Sequence, residues 1–286
     1  MAHHPRNGSI DILKLLGAFG IILFHSGAPY ASVGLAALPM FVMLLVYFGV
    51  RSPFASTANR LLKIWVIWSA IYAGLKLAQG VISGTKFELE FEPWMVWTGT
   101  SIHLWFLPFC VLVLATHTLI LRHLSDRALI SASITVSVFC LFAAQGPAPI
   151  PLAQWATVVP AACAGLIMAR VRRPVLPALV LAGFGTIAWL LRFTASSDQL
   201  AIAGLTVAAA FHFPTKGTAL TDCFGPLSLG LYLIHPAVIA LSLYAWGAGS
   251  LALFFAASTI SFAACLLALK VAPITIGHAR TRKELS

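Results

Sequence analysis

The sequence predicts an all-α, polytopic membrane protein. It reads as a single integral-membrane domain, residues 1–286, with about ten transmembrane helices. Three observations predict this. The chain is 60% hydrophobic and only 9% charged, where soluble domains carry about 25% charged residues. Its mean hydropathy is +0.94. Apolar runs of near bilayer length recur along the whole chain, and the short connections between them leave no room for a sizeable soluble domain.

The runs fall, in order, at 9–28, 31–50, 60–81, 101–121, 128–145, 153–169, 175–193, 199–214, 222–245 and 250–271. The first lacks a convincing cleavage site and is followed by further runs, so it is expected to be a retained helix. The second ends at Arg51, and the third opens on Arg60-Leu-Leu-Lys63. The fourth opens on Ser101-Ile-His103-Leu-Trp105-Phe106-Leu-Pro108. The fifth follows Arg127, the sixth ends at Arg170, and the seventh runs to Arg192. The eighth stops before Lys216, the ninth holds His235-Pro236, and the tenth closes at Lys270.

The charges give these runs a direction. With the N-terminus placed in the cytoplasm, fifteen Lys and Arg residues fall on the cytoplasmic side, and only Lys76, Lys86 and Arg192 fall on the other. The positive-inside rule therefore puts both termini in the cytoplasm and accounts for the net charge of +10 without nucleic acid. The longest outer segment, near 82–100, carries Glu88, Glu90 and Glu92 with Trp94 and Trp97, an acidic strip beside an interfacial aromatic anchor. The five cysteines lie in apolar runs without CxxC spacing, and read as small buried hydrophobes. No HExxH, GxSxG or Walker-type motif is present, and no metal site is expected.

Four stretches carry candidate chemistry. Lys14 and His25 lie eleven steps apart on the first run. That is three turns plus about 20°, so both face one way, separated by a rise of about 16 Å, close to half a bilayer core. Asp11 lies one turn before Lys14. An intramembrane imidazole can take a proton from a hydroxyl, as a general base does in group transfer. The alternative is a snorkelling lysine above a hydrogen-bonded core histidine. Arg60 and Lys63, one turn apart, join Arg51 as three cations suited to phosphates, or else to setting topology alone. His103 and Trp105 stand near the outer interface facing the acidic segment, or within an ordinary aromatic belt. Ser228-Leu-Gly230-Leu-Tyr232-Leu-Ile-His235 places a histidine near mid-membrane before a helix-disturbing proline, or is a packing motif with a kink. His117, His123, His212 and His278 lie at span ends or in the tail and are weaker candidates.

Together these stretches resemble the membrane acyltransferase 3 family, from about Arg6 to about Lys270. The family's basic residue, ten positions and histidine match Lys14 and His25. Its Arg-x-x-Arg pair matches Arg60 and Lys63, its Leu-Trp-Phe-Leu stretch matches 104–107, and its Ser-x-Gly-x-Tyr-Leu-x-His segment matches 228–235. The sequence departs at Lys63, which cannot make the bidentate contact of an arginine, and at Tyr47-Phe48-Gly49, where the family often has a Ser-Gly pair.

The resemblance implies transfer of an acyl group, often acetyl, from acyl-CoA as co-substrate to hydroxyls of envelope or exported glycans or glycolipids in a bacterial inner membrane. No bound cofactor is implied. His25 would be catalytic, with Lys14 in its motif. Arg60, Lys63 and Arg51 would serve the donor, His103 and Trp105 the acceptor, and His235 would orient His25 or line the passage. Two other classes stay open at this point. One is a transporter or flippase with a His/Lys proton relay, although no paired broken helices are visible. The other is a catalytically silent membrane assembly partner.

Overall fold

A computed structural model describes residues 7–83, 92–146, 149–193 and 196–276. The described residues are helical throughout, without a β-strand, as an all-α polytopic membrane protein requires. In lipid only a helix or a closed barrel satisfies its own backbone. The helices are α1 (Gly8–Ser26), α2 (Ala31–Gly34), α3 (Ala37–Val50), α4 (Phe54–Ser83), α5 (Met95–Thr98), α6 (Phe106–Leu119), α7 (Asp126–Ala143), α8 (Leu152–Arg170), α9 (Val175–Leu190), α10 (Ser197–His212), α11 (Ala219–Asp222), α12 (Phe224–Trp246) and α13 (Leu251–Val271).

All ten expected runs contain a helix, and among the described residues eight spans are long and apolar enough to cross a bilayer. The exceptions are α9 and α10, at 16 residues each. Sixteen residues rise about 24 Å, less than the roughly 30 Å of a hydrocarbon core. Both still run the length of the bundle. Ser196 and Gln199, at the start of α10, line the same cavity as His25, at the end of α1. The far end of α10 meets the start of α1, where Asn7 Nδ2 donates to Ala210 O at 3.0 Å and Ser9 Oγ to Phe213 O at 2.7 Å.

The boundaries differ most at α4. It starts at Phe54, six residues before the expected 60, and runs 30 residues. Arg60 and Lys63 therefore sit inside its second and third turns. Charged residues form helix readily, and only the apolar run, not the helix, begins there.

The span made by α2 and α3, which continue one another through Leu35 and Ala36, is the centre of the bundle. The span Ala31–Val50 is 61% buried, whereas α4 and α7 are 22% buried, which places them at the periphery. Around α3 pack α1, α6, α8 and α10; α12 packs on α1 and α13, and α9 on α10. Large apolar side chains such as Val81, Phe139, Leu241 and Val271 are exposed on the outside, as a lipid-facing surface demands.

Two contacts set how tightly this packs. A Cβ on Gly165 of α8 would lie 2.5 Å from Met43 O on α3, and one on Gly204 of α10 would lie 2.5 Å from Ala178 O on α9. Small residues at helix crossings are what permit such backbone approach in membranes.

Gly165→Ala and Gly204→Ala are therefore expected to lower stability by about 1–3 kcal/mol through overpacking. Gly183→Ala, where an added Cβ meets nothing within 4 Å, should be neutral or stabilising by up to about 1 kcal/mol. Thermal unfolding in detergent micelles checks both directions.

Candidate active site

Two cavities enter the bundle from opposite ends. The first, about 340 Å³, lies where α1, α4 and α12 begin and α3 ends, and its wall includes Lys14, Phe48, Thr57, Arg60 and Ser228. The second, about 460 Å³, lies where α1 ends and α3, α6, α8 and α10 begin, and its wall includes His25, His103, Trp105, Gln154 and Gln199. Leu38 and Tyr232 line both. One leucine and one tyrosine therefore stand where the two hollows meet.

Two imidazoles, His25 and His103, line the second cavity, and a third, His235, is buried against them. The rings of His25 and His235 lie 4.9 Å apart, and those of His103 and His235 lie 5.8 Å apart. Two tyrosines close the group: Tyr72 stands edge-on to His103 at 4.9 Å, and Tyr232 lies 5.9 Å from His103 and 6.0 Å from His235.

Each ring has an identifiable support. His25 occupies the last turn of α1, which ends because Gly27 takes φ 65°, a left-handed cap. Gly249 N–H donates to Ser26 O at 2.9 Å and ties that end to the α12–α13 turn. His25 is exposed, and it is exposed into the second cavity. His235 is fully buried on α12, and its Nδ1 lies 3.2 Å from Leu231 O. A carbonyl only accepts, so Nδ1 carries the hydrogen and Nε2 of the neutral ring is left as an acceptor. Pro236 has no N–H to donate, which leaves Tyr232 O, four residues back on α12, without its helical donor.

His103 stands in a 3₁₀ turn, Ile102–Trp105, ahead of α6. Ser101 Oγ pairs with its Nδ1 at 2.9 Å, and Tyr232 OH donates to its carbonyl. Tyr72 OH donates to Leu233 O at 2.7 Å, fastening α4 to α12 beside the rings. Nε2 of both His103 and His235 is buried without a hydrogen-bond partner among the described residues. Unpartnered buried nitrogens are uncommon in a settled core.

Several sequence expectations are corrected here. Lys14 and His25 do not share a site. Lys14 faces the first cavity, paired with buried Asp11 at 3.4 Å and lying 5.0 Å from the Phe48 ring centre. One helical face is long enough to serve both hollows. His25 sits in the last turn of α1, not half-way along it, although its ring meets the middle of α12. His103 is buried within the bundle, at 7% exposure, in the 3₁₀ turn that opens its span. Glu88 and Glu90 of the acidic strip lie outside the described residues. Arg51 is not in the first cavity either. Its guanidinium stacks 4.0 Å from the Tyr47 ring centre, bonds the Tyr47 hydroxyl, and donates to Ala169 O at 3.5 Å. Of the predicted cations, Arg60 lines the cavity, while Lys63 is exposed one turn further on and is not part of its wall. Trp105 is buried and lines the second cavity.

An acyltransferase domain model matches residues 7–270. The chain belongs to the acyltransferase 3 family. No curated protein and no solved structure matches it. This membrane acyltransferase holds two hollows with different chemistry, one lined by Lys14 and Arg60 and one by His25 and His103.

Sequence reasoning missed several participants in this acyltransferase. Tyr72 stands alone in an apolar run and carries no local signal; only folding brings it to His103. Gln154 and Gln199 were discoverable as amides placed one turn into apolar segments. Tyr232 was visible in its motif, but its place at both cavities was not.

Tyr232→Phe keeps the ring and removes the bond to His103 O. It is expected to cost about 1–3 kcal/mol by leaving that carbonyl unpaired. Unfolding of purified protein in micelles measures this, and an unchanged midpoint would sever the link.

Proposed function

We propose that this acyltransferase moves an acyl group, acetyl being the expected one, from acyl-CoA to a hydroxyl of an envelope or exported polysaccharide or glycolipid. It would work across a bacterial inner membrane with both termini in the cytoplasm. One observation carries the reading: a cavity lined by Lys14 and Arg60 meets, at Leu38 and Tyr232, a cavity lined by His25. The orientation is supported by the lysine and arginine bias at the end where the basic cavity lies.

In this mechanism Arg60 and Lys14 bind the donor's phosphates, and Lys63 adds charge at the mouth. The donor's thiol arm runs inward to Tyr232 and brings its thioester to His25. The acceptor hydroxyl enters from the other cavity. His25 takes the hydroxyl proton as the new C–O bond forms, the C–S bond breaks, and the departing thiolate recovers that proton from the imidazolium. His235 is the positioning residue. With Nδ1–H held by Leu231 O, its Nε2 is placed to accept from a His25 N–H and so leave the other His25 nitrogen free as the base. Holding both reactants in one geometry supplies much of the acceleration.

Purified full-length protein with labelled acyl-CoA and membrane glycan tests this. His25→Ala is expected to lower transfer by about 10²–10⁴-fold, the usual worth of a general base, at normal protein levels. Retained activity would remove His25 from the chemistry. Acyl label surviving on denatured wild-type protein, and absent from His25→Ala, would replace direct transfer with an acyl-imidazole. Label taken up by sealed vesicles independently of CoA would replace the enzyme with a transporter.

Arg60→Ala should raise the acyl-CoA KM about tenfold, equivalent to about 1.4 kcal/mol. Arg51→Ala should leave it unchanged, because that guanidinium is occupied by Tyr47 and Ala169. Equal effects of the two substitutions would place the donor elsewhere.

A further inference from the structure

The wall of the His25 cavity narrows the acceptor, an inference that rests on the acyltransferase reading above. The two hollows differ in charge. The donor side offers Lys14 and Arg60. Among the described residues, the acceptor side is lined by no Asp, Glu, Lys or Arg. Its polar groups besides the rings are neutral: Gln154 and Thr157 on α8, and Ser196 and Gln199 at the start of α10, facing Trp105.

A carboxylate, phosphate or ammonium entering such a space gives up its hydration and meets no opposite charge. A hydroxyl gives up much less and finds partners. Gln154 Oε1 and His103 Nε2, both in this wall, are buried without a hydrogen-bond partner among the described residues. A modest turn of the amide presents its oxygen to a hydroxyl in the cavity. Trp105 is 5% exposed and held edge-on by Phe106 and Phe109, and contributes a fixed apolar edge to the wall against which a sugar C–H can rest. Neutral amides and hydroxyls around an aromatic ring suit a polyol and give an ion nothing to pair with.

We propose that the hydroxyl this enzyme acylates belongs to an uncharged sugar, held by Gln154, its neutral polar neighbours and Trp105, and not by ion pairing. Acidic sugars such as uronates, sugars bearing phosphate, and cationic aminosugars are excluded from the reacting position. They remain free to occur elsewhere in the same glycan.

Membranes from the producing cell, incubated with labelled acyl-CoA, test this directly. The labelled glycan is isolated and fragmented, and the residue bearing the new ester is identified by mass spectrometry. Label on a neutral pyranose is the expected result. Label on a carboxylated, phosphorylated or cationic sugar, or on a molecule that is not a sugar, would overturn the inference and leave the acyltransferase standing. No thioester cleavage and no labelled product would overturn the acyltransferase reading and this inference with it.

Substitution supplies the second arm. In full-length protein, Gln154→Leu and, separately, Thr157→Val should each raise the KM for the native glycan, Gln154→Leu by about tenfold, while the acyl-CoA KM is unchanged. Loss of a hydrogen bond to a substrate hydroxyl has this signature. Acceptor KM values unmoved in both variants, or donor and acceptor KM values raised together, would overturn the assignment.

Discussion

Where Tyr232 is held decides the geometry of everything around it. Its ring is buried among Phe106, His103 and His235, and its hydroxyl donates to the His103 carbonyl. A phenol inside a membrane bundle needs a hydrogen-bond partner, and a backbone carbonyl in a 3₁₀ turn is one that ordinary helix leaves unoffered. That single bond joins α12 to the segment before α6. It turns His103 inward, sets His235 beside His25, and leaves the tyrosine edge as the meeting point of the two hollows.

Much of this was legible in the sequence. The helices are there because apolar runs separated by charges and turns have no other stable form in lipid, and the expected runs all contain one. The residues of the candidate site were named, with the exceptions of Tyr72 and the amide lining. What linear spacing cannot carry is which hollow a side chain enters. Lys14 and His25 share a helical face, and a shared face does not say which hollow each side chain enters. A helix of 19 residues is long enough for one face to serve two sites. The burial of His103 was hidden for a related reason: a short 3₁₀ turn leaves no periodic trace that distinguishes it from the first turn of a helix.

The cations make the same point from another direction. Arg51, Arg60 and Lys63 are close in sequence and were read as one group. A guanidinium near a tyrosine ring has a strong local alternative, stacking, and Arg51 takes it with Tyr47. Tyr47 in turn stands where the family often has a small Ser-Gly pair, so the departure in sequence and the diversion of Arg51 are one change. Lys14 instead reaches the first cavity from α1, beside its own partner Asp11.

Leu38 and Tyr232 have an electrical consequence as well as a chemical one. Two hollows approaching each other from opposite sides of a bilayer shorten the insulating layer between them to the thickness of a pair of side chains. A transmembrane voltage, worth about 2.3 kcal/mol per elementary charge per 100 mV, falls mainly across that thin layer and not evenly over the full depth of lipid. In the proposed mechanism the proton that His25 takes and returns moves within that concentrated field.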